Sequence, residues 1–598
     1  MSASVQILQK IFGYQAFRGF QAEVIEAVTR GEDALVLMPT GGGKSLCYQI
    51  PALMRDGVAI VVSPLIALMK DQVDMLEDLG ISAAYLNSSQ TSEESQSVIE
   101  SLFRGDVSLL YVAPERLMTP RMLAMIEQLP ISLFAFDEAH CISIWGHDFR
   151  PDYGELTQIK ERFPHIPRIA LTATADPQTR EEIAERLLIN PKRFIASFDR
   201  PNIRYRMVEK TKGYLDEVAD FITGEHMHES GIIYCLSRRK TEQVAQELQN
   251  RGVDALVYHA GLDQWERESN QNQFYERPCV MVATIAFGMG IDKPDVRYVI
   301  HLDMPKSIEN YFQETGRAGR DGLPAEAVLY YGLEDVVQQR RLIDMSEAED
   351  DYRLVMMAKL DAMLALAEDS GCRRERLLDY FGESTKHCDN CDNCENPPMT
   401  KDVTIEAQKL LSCVHRCYQT NGLGFGAGHV IDVLMGERNE KVLARGHDRL
   451  STWGIGQGLS AKFWRKVLRQ LIIKHYIQVR YELRNVLSLT GKARALLRGE
   501  ESFFVRVEGM KKLSTRKALE HDDLNEDETR LFNELRAWRR DAAQEAGKPP
   551  YLIFPDATLL QIAKLKPKTP EALMSVSGVG EKKFERYADA IFSMVAEY

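Results

Sequence analysis

From Ala34 to about Gly332, short β-rich apolar runs alternate with helical patterns, and few folds accommodate such a chain. Ala34 to Met38, Val58 to Val62, Leu109 to Val112, Leu133 to Phe136 and Arg168 to Leu171 make one series. Gly231 to Cys235, Val280 to Ala283, Tyr298 to His301 and Ala327 to Tyr331 make a second. Alternation of this kind implies parallel sheets flanked by helices, and each series is long enough for one doubly wound domain. Two α/β domains in tandem are therefore expected, joined through Phe198 to Arg204. Beyond Glu334 the pattern turns helical to Leu378 and then breaks at a cysteine cluster and at Pro397 and Pro398. Thr404 to Glu500 reads as a small helical module with Gly-rich turns and a late β-like stretch, Ile477 to Leu489, which suggests a winged helix. Glu501 to about Leu524 reads as a linker, and Asn525 to Tyr598 as a separate helical bundle.

The chain of 598 residues is too long for one core, and 44% hydrophobic with 27% charged residues argues against long disorder. No apolar run reaches the roughly 18 residues of a membrane span, so a cytosolic protein is the simplest reading. The net charge of −13 argues against nucleic acid only as a global figure, because residues 461 to 520 carry about +10 by count.

The chemistry-bearing stretches fall at strand ends. After the first run come Pro39, Thr40, Gly41, Gly42, Gly43, Lys44 and Ser45. Glycines let backbone N–H groups face phosphate oxygens, Lys44 reaches the terminal phosphates, and Ser45 can ligate Mg²⁺. The strict phosphate-loop pattern wants Gly where Met38 stands, and a Gly-rich turn with an incidental Lys-Ser is the plainer alternative. Leu133 to Phe136 run into Asp137, Glu138, Ala139 and His140, where Asp137 suits the Mg²⁺ and Glu138 the polarisation of water. Two carboxylates there can equally be a solvated turn, but not so readily ninety residues after a phosphate loop. Arg317 and Arg320, read as sharing one helical face, could both reach across a cleft to a transition state; the alternative is two surface arginines. Cys141 to Arg150 mixes Trp145, His147, Phe149 and Arg150, side chains suited to stacking on bases and gripping phosphates, although core packing is common for Trp and Phe. Of ten cysteines, Cys388, Cys391 and Cys394 cluster, which points to metal; buried apolar packing is the default for the scattered ones. Iron–sulfur ligation competes with zinc, but no Cys-Pro follows.

Read in order, these motifs resemble those of superfamily 2 helicases, and specifically the bacterial RecQ DNA helicases. Phe12, Gly13, Phe17, Arg18 and Gln21 resemble the motif before the phosphate loop, in which the Gln reads adenine. Met38 to Ser45 resembles motif I, Ser63 to Gln72 and Tyr111 to Arg116 motifs Ia and Ib, and Leu171 to Ala175 the Thr-Ala-Thr motif. Ile285 to Lys293 with Arg297, and Gln313 to Gly322, resemble motifs V and VI, and Cys141 to Pro151 the aromatic-rich loop that joins DNA binding to ATP hydrolysis.

The resemblance implies two RecA-like domains at 1–199 and 200–335, a zinc-binding module at 336–400, a winged-helix domain at 401–500, a linker at 501–524 and a helicase-and-RNase-D C-terminal (HRDC) bundle at 525–598. It implies ATP, Mg²⁺ and Zn²⁺ as cofactors, the last held by Cys372, Cys388, Cys391 and Cys394 in a closed four-thiolate site. In the winged helix, Lys462, Trp464, Arg465, Lys466 and Arg469 would face duplex phosphates, a plain solvated helix face being the alternative; in the tail, Tyr551 is a candidate single-strand contact. Ser577 to Glu581 could offer N–H groups to a phosphate or simply turn between helices.

The activity implied is ATP-dependent 3′ to 5′ movement on single-stranded DNA with separation of duplex or branched DNA in recombination and repair, in a nucleoid-associated protein of the cytoplasm. Partners implied are that DNA and a single-strand-binding protein, with no membrane; oligomeric state is left open. A translocase that remodels without unwinding, and an RNA helicase, are the competing readings. The aromatic-rich loop gives a test: Trp145→Ala is expected to keep ATP binding but lose stimulation of ATPase by single-stranded DNA, and undiminished stimulation would remove the coupling role.

Overall fold

A computed structural model of the protein describes residues 2–598 except 40, 65, 88–89, 144–145, 147, 289–292, 347, 481–482, 484–485, 507–523 and 547–549; the side chains of 66–68, 151, 333, 421, 526, 544 and 581–582 are also left aside. The first domain is a seven-stranded sheet of β1 (Ala34–Leu37), β2 (Val58–Val62), β3 (Ala83–Leu86), β4 (Leu109–Val112), β5 (Ile131–Phe136), β6 (Arg168–Thr172) and β7 (Lys192–Ile195), in spatial order 3-4-2-5-6-1-7. Every pairing in it is parallel. The second is a six-stranded parallel sheet of β8 (Ile203–Glu209), β9 (Ser230–Tyr234), β10 (Ala255–Tyr258), β11 (Val280–Ala283), β12 (Val296–His301) and β13 (Ala325–Tyr331), in order 10-11-9-12-13-8.

Helices cover both faces of each sheet, so central strands are buried on both sides and read as continuous apolar runs. In β1, Leu35 and Leu37 enter one apolar core while Ala34 and Val36 enter another on the opposite face. Within these two sheets four strands escaped the sequence reading: β3, β7, β8 and β10, which are the four sheet edges. The expected joining segment Phe198 to Arg204 in fact runs into β8, whose Arg206 donates to the buried Glu326 of β13 at 3.0 Å.

Beyond the sheets, Asp350–Glu368 and Arg373–Tyr380 form the helices of the cysteine-bearing module. The next domain packs Thr404–Asn421, Ala427–Met435 and Ala461–Ile473 against an antiparallel hairpin, where β14 (Thr400–Asp402), β15 (Ile477–Arg480), β16 (Val486–Leu489) and β17 (Phe504–Arg506) are the remaining strands. Here the expected linker from 501 is corrected: β17 pairs antiparallel with β14 and Phe503 is buried in the core, so the start of that stretch closes the domain. The C-terminal bundle runs from Glu526–Ala546 to Glu581–Val595 around its own apolar core. Among the described residues no helix is long and apolar enough to cross a membrane.

One buried ion pair anchors the lower end of the first sheet. Asp33, 5% exposed, accepts from Arg168 N–H and Nε, both at 2.9 Å, and from the Ile189 N–H at 2.6 Å. It thus fixes the starts of β1 and β6 and the turn before β7. Removing one partner of such a pair strands a buried charge, so Asp33→Ala is expected to destabilise the first domain by about 3–5 kcal/mol, read as a lowered urea midpoint.

Candidate nucleotide and nucleic-acid site

The phosphate-loop candidate follows β1 directly. Gly41 and Gly43 adopt φ of +80° and +77°, left-handed backbone that other residues enter only with strain. Ser45 is the N-cap of the helix Leu46–Met54, so the loop delivers the chain to a helix N-terminus, where N–H groups face outward. Lys44 Nζ donates to the Met38 carbonyl at 3.2 Å. Thr40 lies outside the described residues. Gln21, 2% exposed, accepts from the Arg18 N–H at 2.8 Å and donates from Nε2 to the Gly42 and Gly43 carbonyls at 3.2 and 3.1 Å. In this arrangement the Gln21 amide braces the loop that the sequence placed beside the nucleotide.

The paired carboxylates stand at the same end of the sheet, with only β6 between β5 and β1. Asp137 donates its N–H to the Val62 carbonyl at 2.9 Å, and its own carbonyl accepts from the Tyr153 hydroxyl at 2.9 Å. Burial, then the neighbouring Glu138 charge, push the Asp137 pKa up to about 6, and the Lys44 cation opposes that rise. Glu138 sits at φ 46°, an unusual conformation for a side-chain-bearing residue and one found at functional turns. His140, quoted in the motif but given no role from sequence, is the residue that the reading missed. Its Nδ1 lies 3.3 Å from the Glu138 carboxylate and 2.9 Å from the Thr172 hydroxyl, inside the Thr-Ala-Thr segment.

Arg317 and Arg320 do not share a helical face. The helix Ile308–Thr315 ends before both, and residues 316–320 are turns, which send the two side chains to different places. Arg320 crosses to the first domain: a Cβ placed on Gly41 would lie 3.7 Å from its Cδ. Arg317 is buried at 6% exposure beside Tyr234, whose hydroxyl donates to the Phe287 carbonyl at 2.8 Å. A further bridge between the domains, absent from the sequence reading, is Gln313 Nε2 donating to the Thr174 hydroxyl at 3.2 Å.

In the aromatic-rich segment Trp145 and His147 lie outside the described residues. Phe149 packs on Tyr352 with ring centroids 5.7 Å apart. Arg150 pairs with Asp148 at 3.2 Å and donates to the Pro64 carbonyl at 2.8 Å, which fastens this segment to the motif that follows β2. A Cβ on Gly146 would collide with the His140 carbonyl oxygen, so the loop is folded directly onto the carboxylate turn.

Cys372, Cys388, Cys391 and Cys394 converge with all four sulfurs within 4.8 Å of one another. The Cys391–Cys394 and Cys388–Cys394 separations are 3.3 and 3.8 Å, against an edge of about 3.8 Å for four sulfurs 2.3 Å from a tetrahedral zinc. Hydrogen bonding from Cys388 draws the Cys391 pKa down to about 5, while the same hydrogen bonding to Cys391 and burial push the Cys388 and Cys394 thiols up. The donor set fits a closed zinc site, and all ten cysteines are free of disulfides.

One expectation for the C-terminal half is corrected. In the helix Ala461–Ile473 only part of the proposed duplex face points outward: Lys462 and Arg465 are exposed. Trp464 is fully buried with Nε1 donating to the Gly456 carbonyl at 3.0 Å, because its indole fills the domain core, and Arg469 pairs at 2.7 Å with Glu368 of the cysteine-bearing module. The Gly578 segment is a turn between helices whose Ser577 N–H is taken by Gln561 at 3.2 Å. Tyr551 lies against Tyr275 of the second domain, ring centroids 5.7 Å apart.

Models of known families match the chain end to end: DEAD/DEAH box helicase at 18–183, helicase conserved C-terminal domain at 213–322, RecQ zinc-binding at 333–395, RQC domain at 397–514 and HRDC domain at 528–595. Among curated relatives, the ATP-dependent DNA helicase RecQ of Pasteurella multocida is 46% identical, covering 100% of this chain and 94% of the relative. Those of Haemophilus influenzae and Bacillus subtilis are 45% and 38% identical, with 100% and 99% of this chain and 96% and 98% of the relatives covered. With two RecA-like sheets, the four-cysteine module and these full-length likenesses together, the chain belongs to the RecQ family of ATP-dependent DNA helicases.

Proposed function

We propose that the chain couples ATP hydrolysis to 3′ to 5′ movement along single-stranded DNA and separates duplex or branched DNA during recombination and repair. The observation that carries this reading is the meeting of the two domains at the phosphate loop, where Arg320 lies over Gly41 and Gln313 bonds Thr174. Bound ATP with Mg²⁺ would supply the phosphoanhydride whose cleavage drives the cycle. Lys44 and the N–H groups of Gly41, Gly42, Gly43 and Ser45 would hold its phosphates, with Thr40 in the same loop; the Ser45 hydroxyl and Asp137 would hold the ion. Glu138 would orient the attacking water, with His140 keeping its carboxylate in place. Arg18 and Gln21 would fix the loop against the base. Arg320 would reach the developing charge directly, with Arg317 positioning the turn from beneath.

Both domains would also hold the DNA strand, so closing and opening of the cleft becomes stepping. Arg150 and Phe149, with Trp145 and His147 on the same loop, would contact it from the first domain, and Tyr551 would do so once it leaves Tyr275. Lys462 and Arg465 would meet duplex phosphates. A single-strand-binding protein would share such a substrate.

Arg320→Ala is expected to lower kcat of DNA-stimulated ATPase by about 10³-fold or more with ATP binding kept, while Arg317→Ala also disturbs packing and weakens binding. Strand displacement on duplexes with a 3′ or a 5′ tail, in DNA and in RNA, with and without ATP, tests the whole reading. ATP-dependent unwinding of the 3′-tailed DNA alone is expected. Equal use of 5′ tails would overturn the polarity, ATPase without displacement would favour a remodelling translocase, and preference for RNA would favour an RNA helicase.

A further inference from the structure

A second group of metal-ligating side chains lies in the winged-helix domain, more than twenty residues in sequence from the four-cysteine site. Cys417 comes from the helix Thr404–Asn421, His429 from Ala427–Met435 and His447 from the short 3₁₀ turn His447–Arg449. One ligand atom from each lies within 4.8 Å of the other two. We propose that Cys417, His429 and His447 form a second site for a zinc-class divalent ion.

The reason starts with the two rings. His429 Nε2 and His447 Nδ1 face each other at 2.8 Å, so a single proton is shared between two nitrogens. His447 is fully buried and its Nε2 has no hydrogen-bond partner, so that ring's only polar contact is the one its Nδ1 makes towards His429. A divalent ion in place of the shared proton would satisfy two imidazole lone pairs and the Cys417 sulfur together. The rings are already oriented for this: Phe425 stacks on His429 at 4.5 Å and meets His447 edge-on at 4.7 Å.

Thiolate and imidazole are the donors that zinc prefers, and three protein ligands leave one position for water on the half-exposed His429 side. Cys413, one helical turn before Cys417, donates its thiol to the Val430 carbonyl at 3.7 Å, so it is already engaged and leaves Cys417 as the sulfur of the group. The charges facing the group are mixed: Asp432 favours a cation at His429, whereas Arg445 and Lys441 oppose one. The Cys417 thiolate offsets that opposition. Such an ion would tie together three elements of the domain.

The test uses the full chain, loaded with zinc chloride and freed of excess metal by gel filtration, with metal counted by mass spectrometry. Two zinc ions per chain are expected, falling to one in Cys417→Val and in His429→Gln. The second variant changes a half-exposed residue, so it remains informative if the first fails to fold. Cobalt added to chain holding one zinc is expected to give a thiolate-to-cobalt charge-transfer band that both variants lose. One zinc per chain in the unsubstituted protein, two in both variants, or a cobalt band that survives in both, would each overturn the proposal.

Discussion

The ring of His140, 3% exposed, stands between the Glu138 carboxylate at 3.3 Å and the Thr172 hydroxyl at 2.9 Å, and the site is assembled around that placement. Thr172 Oγ1 in turn donates to the Thr174 carbonyl at 3.2 Å, and the Thr174 hydroxyl accepts from Gln313 of the second domain at 3.2 Å. A continuous line of hydrogen-bonding residues therefore runs from the carboxylate turn to the other sheet. The same turn supports the aromatic-rich loop, because Gly146 is pressed on the His140 carbonyl and Arg150 N–H donates to the Cys141 carbonyl at 3.0 Å. Packed interiors rearrange in discrete steps, so a displacement of Glu138 cannot be absorbed locally; it moves the loop, the Thr-Ala-Thr segment, or both.

What the sequence made legible was whatever is contiguous and buried on both faces. Central strands such as Val58–Val62 are unbroken apolar runs because neither face meets water, and each was read correctly. The four missed strands of the two large sheets are edges, and two of them carry polar side chains: Lys192–Ile195 is largely exposed, and Ile203–Glu209 alternates with two arginines. Those arginines are themselves buried, but only because Glu326 and Glu395 meet them, partners more than a hundred residues away that no local pattern announces.

The site divides along the same line. The phosphate loop, the carboxylate pair and the cysteine cluster are short in sequence, and their members come together as a consequence of one turn each. Arg317 and Arg320 were placed on one helical face because their spacing permits it; the helix stops at Thr315, and only the tertiary structure sends Arg320 to Gly41. Trp464 and Arg469 looked like part of a basic face by composition, yet one is core and the other joins two modules. His429 and His447, eighteen residues apart, gave no motif with Cys417 at all.

The cysteine-bearing module shows why those long-range partners matter for function. Its buried Arg373 donates from Nε to Asp392 at 3.0 Å and from Nη1 to the Leu366 carbonyl at 2.7 Å, while Arg374 donates to the Ile203 carbonyl at the start of the second sheet at 2.7 Å. Glu383 accepts from the Ser197 hydroxyl at 2.5 Å and the Phe198 N–H at 2.7 Å at the end of the first domain, and Glu368 receives Arg469 and Gln470 of the winged helix. Arg373, Arg374 and Glu368 are taken out of water and are tolerable only with their partners present. The module is therefore a junction that either holds all three neighbours in register or leaves several buried charges unpaired. Thiolates fixed around one centre at Cys372, Cys388, Cys391 and Cys394 hold the backbone of Arg373 and Asp392 in place, since both are immediate chain neighbours of those cysteines. By that route the four-cysteine site governs how the two sheet domains and the winged-helix domain are held against one another.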